Sequence, residues 1–264
     1  PLWGVLTERY GHVSDDGVAP GRCPIYASGG HYRPGDENVS NVAEEAKRSL
    51  NDGYGWFKLK VGGASEGVDR SRVESAIQAV GGAQLVAVDA NGVLGSKESL
   101  EHLSVLDGYG CRWIEEPVAA LDFKGLACCS RNLATPIATG ENIFSEAEVT
   151  NLLHFGGLRV GKDKLQMDPL LSYGLIEYLR MIDSAESQGW SRRDFHPHAG
   201  HQMTLHLAAG LGLGSHETAS VASEPFSGVD EGTRIEGGVA TVSEAPGLGI
   251  EFKPSLYRYF DGLI

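Results

Sequence analysis

Ionisable side chains end successive short apolar runs along this sequence, and they recur at a nearly constant spacing. The steps from the first to the sixth are 26 to 30 residues long, and a final step of 19 residues follows. A step of about 26 residues holds one strand, one helix and two loops, so each repeat returns the chain to the same edge of a parallel sheet. The spacing therefore predicts a barrel whose C-terminal rim carries Lys60, Asp89, Glu115, Glu141, Asp168, His198 and Glu217.

Eight strand-like runs alternate with seven helix-like runs, which predicts an α/β protein with a TIM-type (β/α)7β barrel. The predicted strands are Pro24–Ser28, Trp56–Val61, Leu85–Asp89, Arg112–Glu115, Pro136–Thr139, Lys164–Asp168, Asp194–His198 and Glu217–Val221. The predicted helices are Val42–Leu50, Arg70–Val80, Ser96–Val105, Phe123–Asn132, Glu146–His154, Leu170–Gln188 and Gln202–Leu211. No Gly-x-Gly-x-x-Gly turn follows the first strand, which argues against an open dinucleotide-binding sheet.

We expect three segments along the 264 residues. Residues 1–22 lead into the barrel, and residues 23–226 form it, because one barrel takes about 250 residues. Residues 227–264 are a Gly-rich tail that we expect to pack outside the barrel. Its extended pieces are predicted at Val239–Val242 and Gly249–Phe252.

The composition limits the partners and the compartment. A net charge of −13 disfavours nucleic acid and anionic membranes. No run of about 18 apolar residues is present, so we expect no membrane span. The four cysteines lack metal-binding spacing, and adjacent Cys128 and Cys129 are poor disulfide partners, so we expect reduced thiols and a cytoplasmic location.

Three of the rim residues are carboxylates on adjacent predicted strands. Asp89, Glu115 and Glu141 are 26 residues apart at each step. Carboxylates that lie close together repel one another and do not all stay ionised without a cation. Hard oxygen ligands of this kind select Mg²⁺, which keeps waters and accepts a substrate oxygen. The three residues are therefore candidate Mg²⁺ ligands.

Lys58 and Lys60 alternate around Leu59 on the preceding strand, so both side chains point to the same face. Each ammonium group, like a nearby dication, is expected to lower the pKa of the other lysine. A lysine whose pKa lies near neutrality is a competent general base.

A histidine at the opposite side of the barrel mouth is a candidate proton donor. His198 ends the seventh predicted strand and Asp168 ends the sixth, and a carboxylate beside a histidine fixes its tautomer and raises its pKa. His196 and His201 lie close by in the sequence, so the pattern alone leaves the choice among the three histidines open.

Taken together, these motifs resemble those of the enolase superfamily, mandelate racemase subgroup, from about Cys23 to Tyr259. The motifs are Lys-x-Lys at 58–60, Asp-x-Asn at 89–91, Glu-Glu-Pro at 115–117, Gly-Glu-Asn at 140–142 and the late histidine. Within the subgroup the chain is most similar to the D-tartrate dehydratases. The similar stretches are Tyr26–Gly30, Lys58–Ser65, Gly140–Ser145, Leu171–Leu175, Glu177–Arg180 and Pro197–Met203.

The resemblance implies a role for each candidate. Asp89, Glu115 and Glu141 would bind one Mg²⁺ per chain, and Lys60 would be the base. Lys58 would hold the substrate carboxylate, and Glu217 would contact substrate. His198, paired with Asp168, would be the general acid, which favours it over His196 and His201.

The resemblance also implies a reaction, in which a dicarboxylate or sugar acid loses its α-proton, passes through an ene-diolate and expels water. For D-tartrate the product would be oxaloacetate. In the family an N-terminal α+β capping domain precedes the barrel, and we expect it to be missing from this chain. A homo-oligomer is also expected. The alternatives are a dehydratase or racemase acting on another sugar acid, or a truncated inactive barrel.

Overall fold

Parallel strands in sequence order form the central sheet. A computed structural model of the protein describes residues 1–14, 17–32, 39–93, 96–219, 225 and 227–261. The parallel strands are β1 (Arg22–Gly29), β2 (Phe57–Lys60), β3 (Val86–Asp89), β4 (Ile114–Glu115), β5 (Ile137–Thr139), β6 (Lys164–Leu165) and β7 (His216–Ala219). Each strand from β1 to β6 pairs in parallel with the next, and β7 pairs in parallel with β1.

A short segment around Phe195 fills the place between β6 and β7. Phe195 forms an isolated parallel bridge with Leu165, and the His196 amide donates to the Leu165 carbonyl at 2.8 Å. On the other side, the Gly214 amide donates to the Phe195 carbonyl at 2.7 Å. The sheet thus closes with eight parallel positions, which confirms the predicted α/β class and the (β/α)7β barrel. The predicted strand Asp194–His198 is reduced to this bridge.

Seven helices follow the first seven strand positions, as predicted. They are α2 (Val39–Asn51), α3 (Glu66–Val80), α4 (Ser96–Asp107), α5 (Phe123–Asn132), α6 (Glu146–Phe155), α7 (Leu175–Glu186) and α8 (Gln202–Leu211). The prediction that α7 begins at Leu170 is wrong, because the chain turns first. The Ser172 amide and hydroxyl both donate to the Asp168 carbonyl, and Gly174, with φ 83°, separates this turn from the helix.

The two ends of the chain pack against the barrel. Helix α1 (Leu2–Tyr10) lies against α8, where the Trp3 amide donates to Nδ1 of His206 at 3.3 Å. The tail forms β8 (Arg234–Glu236), β9 (Val239–Thr241) and α9 (Pro254–Asp261), and β9 pairs antiparallel with β1. The predicted extended piece Gly249–Phe252 is wrong: residues 250–252 form a 3-10 turn after Gly249, whose φ is 67°. The division into three segments stays a prediction.

All four cysteines are unpaired. Among the described residues, every helix is too short or too polar to cross a bilayer. The cytoplasmic location stays a prediction.

Strand alternation divides the core into an outer and an inner part. Outward-facing residues such as Leu59, Val88 and Ile114 pack under the helices. The barrel interior holds a separate cluster, hereafter the aromatic floor, made of Tyr26, Trp56, Ala87, Trp113 and Ala138. The Tyr26 and Trp56 rings stack at 4.9 Å, and the Trp113 ring meets both edge-on. The floor fills the barrel below the rim and keeps water from entering the rim from below.

Gly140 fixes the position of Glu141 on the rim, and we predict that its substitution is costly. Its φ is 127°, and a Cβ there would lie 2.8 Å from Met167 Sδ and 3.1 Å from the Gln166 amide nitrogen. Gly140→Ala should therefore lower the free energy of unfolding by about 2–4 kcal/mol. Gly161→Ala is the matched control, since Gly161 has φ 72° but open space around its Cα, and it should cost about 1 kcal/mol. Equal losses in urea unfolding would contradict the packing argument.

Candidate active site

Three carboxylates converge at the C-terminal rim of the barrel. Asp89 and Glu115 are register partners at the ends of β3 and β4, and Glu141 follows β5 by two residues. One carboxylate oxygen of each residue lies within 4.8 Å of the other two. Asp89 and Glu115 are fully buried, and Glu141 is partly buried. The structure thus brings together the three residues that the spacing selected.

Two lysines lie against this row of carboxylates. Nζ of Lys58 lies 2.5 Å from Oε1 of Glu115 and 3.5 Å from Oδ2 of Asp89, and it also reaches Oε1 of Glu217 at 2.9 Å. Nζ of Lys60 lies 2.5 Å from Oδ2 of Asp89. Lys58 is buried, whereas Lys60 is partly open to solvent. The two ammonium groups therefore offset the charge of the buried acids.

The pKa of Lys58 is shifted in the direction opposite to the prediction. Burial alone would lower the pKa of Lys58, but the charges of Glu115 and Glu217 outweigh burial and raise the pKa well above its ordinary value. Burial and the nearby charge of Asp89 raise the pKa of Glu115 to about 8. Burial would also raise the pKa of Glu217, but Lys58 lowers it to about 2. Lys58 is thus a fixed positive charge in this arrangement, and the expected depression of its pKa was wrong.

Asp168 links two histidines at the other end of the row. Nδ1 of His198 lies 3.2 Å, and Nε2 of His201 lies 3.1 Å, from the same oxygen, Oδ2 of Asp168. The Leu170 amide donates to the other oxygen at 2.7 Å. Nε2 of His198 lies 3.4 Å from Oε2 of Glu141. Burial opposes charge on His198, but the hydrogen bond with Asp168 and nearby acids raise its pKa to about 9.

The geometry narrows the choice among the three histidines. His196 is buried next to the Trp113 ring, and its Nδ1 pairs with the Ser215 hydroxyl at 2.7 Å. Burial lowers the pKa of His196 well below its ordinary value. His196 therefore belongs with the floor, whereas His198 and His201 both lie at the rim.

Glu217 connects the floor, Lys58 and the loop that carries His198. Its Oε1 contacts Lys58, and its Oε2 lies 3.4 Å from the Tyr26 hydroxyl and 3.2 Å from the Ala199 amide. These contacts hold Glu217 beside the rim, and its predicted contact with substrate stays a prediction.

Sequence reasoning missed several residues that contact the carboxylates. Trp113 and Gln166 donate to Glu115, and the Asn142 amide group contacts Glu116 at 3.1 Å and Glu141 at 3.4 Å. Burial and the charge of Glu141 raise the pKa of Glu116 to about 7. A signal for Trp113 and Gln166 was available, since each lies two positions before a rim residue and so faces the same side of its strand.

A cavity of about 360 Å³ opens beside Lys60. Its lining combines polar and apolar side chains from the loops after β1, β2 and β3, namely His31, Tyr32, Lys60, Val61, Gly63, Ala90, Asn91 and Val93. Its volume lies in the range of small-molecule sites, which is about 300–1,000 Å³.

Residues 41–256 match the family model described as enolase C-terminal domain-like. The chain belongs to this family. It is 31% identical over 192 residues to the L-talarate/galactarate dehydratase of Salmonella typhimurium, an alignment that covers 73% of this chain and 46% of the relative. It is 30% identical over 258 residues to the N-succinylamino acid racemase of Thermus thermophilus, which covers 96% and 64% of the two chains.

Solved structures of the family share the fold. The L-talarate dehydratase of Polaromonas sp. JS666, solved with Mg and L-glucarate, superposes with a TM-score of 0.74 at 26% identity and covers 94% of this chain and 66% of that one. The chain thus spans between about half and two-thirds of the length of these relatives.

The enolase-type rim of this chain fits a hard divalent cation. Its donor set consists of carboxylate oxygens alone, as such cations prefer. Within the described part of the chain, Oε2 of Glu141 is buried and accepts no hydrogen bond, although Nε2 of His198 lies 3.4 Å from it. A cation between the three acids would satisfy that oxygen.

We predict that Lys58→Met destabilises the cation-free protein strongly, because it leaves three buried carboxylates without their shared ammonium group. Removing one partner of a buried ion pair costs about 3–5 kcal/mol. Added Mg²⁺ should recover much of this loss by binding the folded state. Lys164→Met is the control, since within the described residues Lys164 pairs with a single acid, Asp194, at 3.0 Å and is more exposed than Lys58. Urea unfolding with and without Mg²⁺ measures the loss of stability and its recovery. Equal losses and equal recoveries in the two variants would argue against this role of Lys58.

Proposed function

We propose that this chain is the catalytic barrel of a Mg²⁺-dependent acid-sugar dehydratase that converts D-tartrate to oxaloacetate and water. One observation carries the proposal: candidate base and acid lie at opposite ends of the carboxylate row. Lys60 contacts Asp89 at one end, and His198 contacts Glu141 at the other, with Glu115 between them. A substrate held over the row would have one group on each side.

Asp89, Glu115 and Glu141 would hold one Mg²⁺. The donor set supports this assignment, as does Oε2 of Glu141, which is buried and accepts no hydrogen bond from the described residues. The Mg in the structure of the Polaromonas relative also supports it. When bound, Mg²⁺ supplies positive charge next to the substrate carboxylate while the α-proton leaves.

The residues of the chain would carry the proton transfers. Lys60 would take the proton from the carbon next to the carboxylate, while Lys58, as a fixed positive charge, would hold that carboxylate. The electron pair left on carbon forms a double bond to the β-carbon, whose C–O bond breaks. Protonated His198 gives its Nε2 proton to the departing hydroxyl, which leaves as water. The resulting enol becomes a ketone, and for D-tartrate that ketone is oxaloacetate.

Asp168 would keep the general acid His198 protonated and would determine which of its ring nitrogens faces the substrate. Its Oδ2 accepts from Nδ1 of His198 at 3.2 Å, so Nε2 is the atom that faces Glu141 and the substrate side. A general acid with a pKa of about 9 is protonated at neutral pH, as this step requires.

Two observations support alternative reactions of the same site. A pair of proton-transferring groups on opposite sides of a substrate also suits a racemase, and one relative is an N-succinylamino acid racemase. Another relative is an L-talarate/galactarate dehydratase, so a longer sugar acid is the second candidate substrate. The similarity to D-tartrate dehydratases at Lys58–Ser65 and Pro197–Met203 favours D-tartrate. An inactive barrel is the third alternative, and a homo-oligomer stays a prediction.

A substrate panel tests the proposal. The protein is incubated with Mg²⁺ and D-tartrate, L-tartrate, meso-tartrate, galactarate or N-succinyl amino acids in D₂O, with NMR as the readout. We expect formation of oxaloacetate from D-tartrate. Dehydration of galactarate but of no other compound would show that galactarate, not D-tartrate, is the substrate. Deuteration at the α-carbon with inversion and without loss of water would show that the reaction is a racemisation and not a dehydration.

Two variants separate the roles of base and acid. Lys60→Ala should abolish exchange of the substrate α-proton with D₂O, because the base is lost. His198→Asn should slow dehydration by at least about 100-fold, because a general acid contributes about 10²–10⁴-fold to the rate. Exchange of the α-proton should be retained. Exposed Lys124→Ala is the control for loss of a lysine elsewhere. Full exchange in Lys60→Ala would assign the base to another residue.

A further inference from the structure

The two oxygens of Glu115 have different environments. Oε1 faces the lysine side and lies 2.5 Å from Nζ of Lys58. Oε2 faces away and accepts two neutral hydrogen bonds, from Nε1 of Trp113 at 3.0 Å and from Nε2 of Gln166 at 2.6 Å. Both donors are buried. Glu115 thus has one oxygen bound by fixed neutral donors and one that meets positive charge.

The other two carboxylates of the row follow the same division. Oδ1 of Asp89 accepts from the Asn91 amide at 2.9 Å, and Oδ2 meets Lys60. Oε1 of Glu141 lies 3.4 Å from Nδ2 of Asn142, whereas its Oε2 accepts no hydrogen bond in the described part of the chain. Each acid therefore has one oxygen near a neutral N–H donor and another near a lysine or histidine nitrogen.

We propose that Trp113 and Gln166 are positioning residues that restrict Glu115 to one metal-binding oxygen and thereby make the site prefer Mg²⁺ to Ca²⁺. This inference rests on the proposed metal site. Mg²⁺ requires near-ideal octahedral geometry, whereas Ca²⁺ takes six to eight ligands and often binds both oxygens of a carboxylate. Two-oxygen binding by Glu115 would use a lone pair of Oε2 that already accepts a hydrogen bond, and it would displace at least one of the two buried N–H donors, which costs free energy.

The surrounding structure holds the two donors in place. The Trp113 ring is part of the aromatic floor, and its carbonyl accepts from the Val88 amide at 3.1 Å. The backbone N–H of Gln166 donates to the Thr139 carbonyl at 2.8 Å. Oε1 of Gln166 accepts no hydrogen bond from the described residues, so the polar contact of this side chain is the one with Glu115. The buried side-chain amide of Gln166 thus donates to one carboxylate oxygen, Oε2 of Glu115.

Calorimetric titration of the protein with Mg²⁺ and, separately, with Ca²⁺ tests the inference. Gln166→Met removes the donor and keeps the approximate shape. It should weaken Mg²⁺ binding by about 10- to 100-fold, the usual effect of losing a partner of a metal ligand. Ca²⁺ binding should weaken less, so the ratio of Mg²⁺ to Ca²⁺ affinity should fall by about tenfold. Trp113→Phe should shift the ratio in the same direction, and it serves as the second variant if Gln166→Met fails to fold.

The control variant is Gln202→Met. Gln202 is also a buried glutamine, and neither of its side-chain polar atoms has a hydrogen-bond partner among the described residues, so its replacement should leave both affinities unchanged. Equal weakening of Mg²⁺ and Ca²⁺ in Gln166→Met, or an unchanged ratio, would overturn the selectivity role. A wild-type preference for Ca²⁺ would overturn it as well. Glu115→Gln separates the two proposals: if it leaves Mg²⁺ affinity intact, the metal site itself is wrong.

Discussion

The mutual neutralisation of buried acids and lysines at the rim is the interaction on which the rest of the structure depends. A row of buried carboxylates is unstable alone, because burial and repulsion both disfavour ionisation. Lys58 contacts Asp89 and Glu115 of the row and also Glu217, and it has almost no exposure to solvent. Strand register places the acids side by side, and the aromatic floor keeps water from reaching them from below. The barrel therefore serves to hold like charges at short range.

Backbone strain around the rim turns amide groups toward these charges. Among the described residues, positive φ outside glycine occurs at Asn91, Glu116 and Ala199. The Asn91 amide donates to Asp89, and the Ala199 amide donates to Glu217. Such conformations cost about 1–3 kcal/mol each and persist where the surroundings enforce them. Each lies within two residues of a rim side chain, and two of them, Asn91 and Ala199, supply neutral donors to rim carboxylates, whereas the Glu116 amide donates to the Ala138 carbonyl.

The sequence predicted the parts of this protein that depend on periodicity, and it failed where three-dimensional neighbours decide. The spacing from Asp89 to Glu141 placed three acids at one rim, because every repeat contains one strand and one helix. By contrast, Ser172 and Gly174 delay α7 through a local turn that apolar spacing does not reveal. The pKa of Lys58 was predicted in the wrong direction, because the pattern showed its neighbouring lysine but not the three acids around it. Trp113 and Gln166 resemble ordinary interior residues until their donors are seen on Glu115.

The reduced seventh strand gives the two halves of the rim unequal mechanical support. Lys60 ends a strand that is hydrogen-bonded on both sides, by β1 and β3. His198 follows a segment whose attachment within the described chain is the Phe195 bridge and a few neighbouring hydrogen bonds. Backbone with few ladder bonds opens at lower free energy than a central strand. The barrel wall is therefore less strongly hydrogen-bonded beside β6. Local opening of the backbone there would displace the side of the rim that carries His198 while leaving the side that carries Lys60 in place.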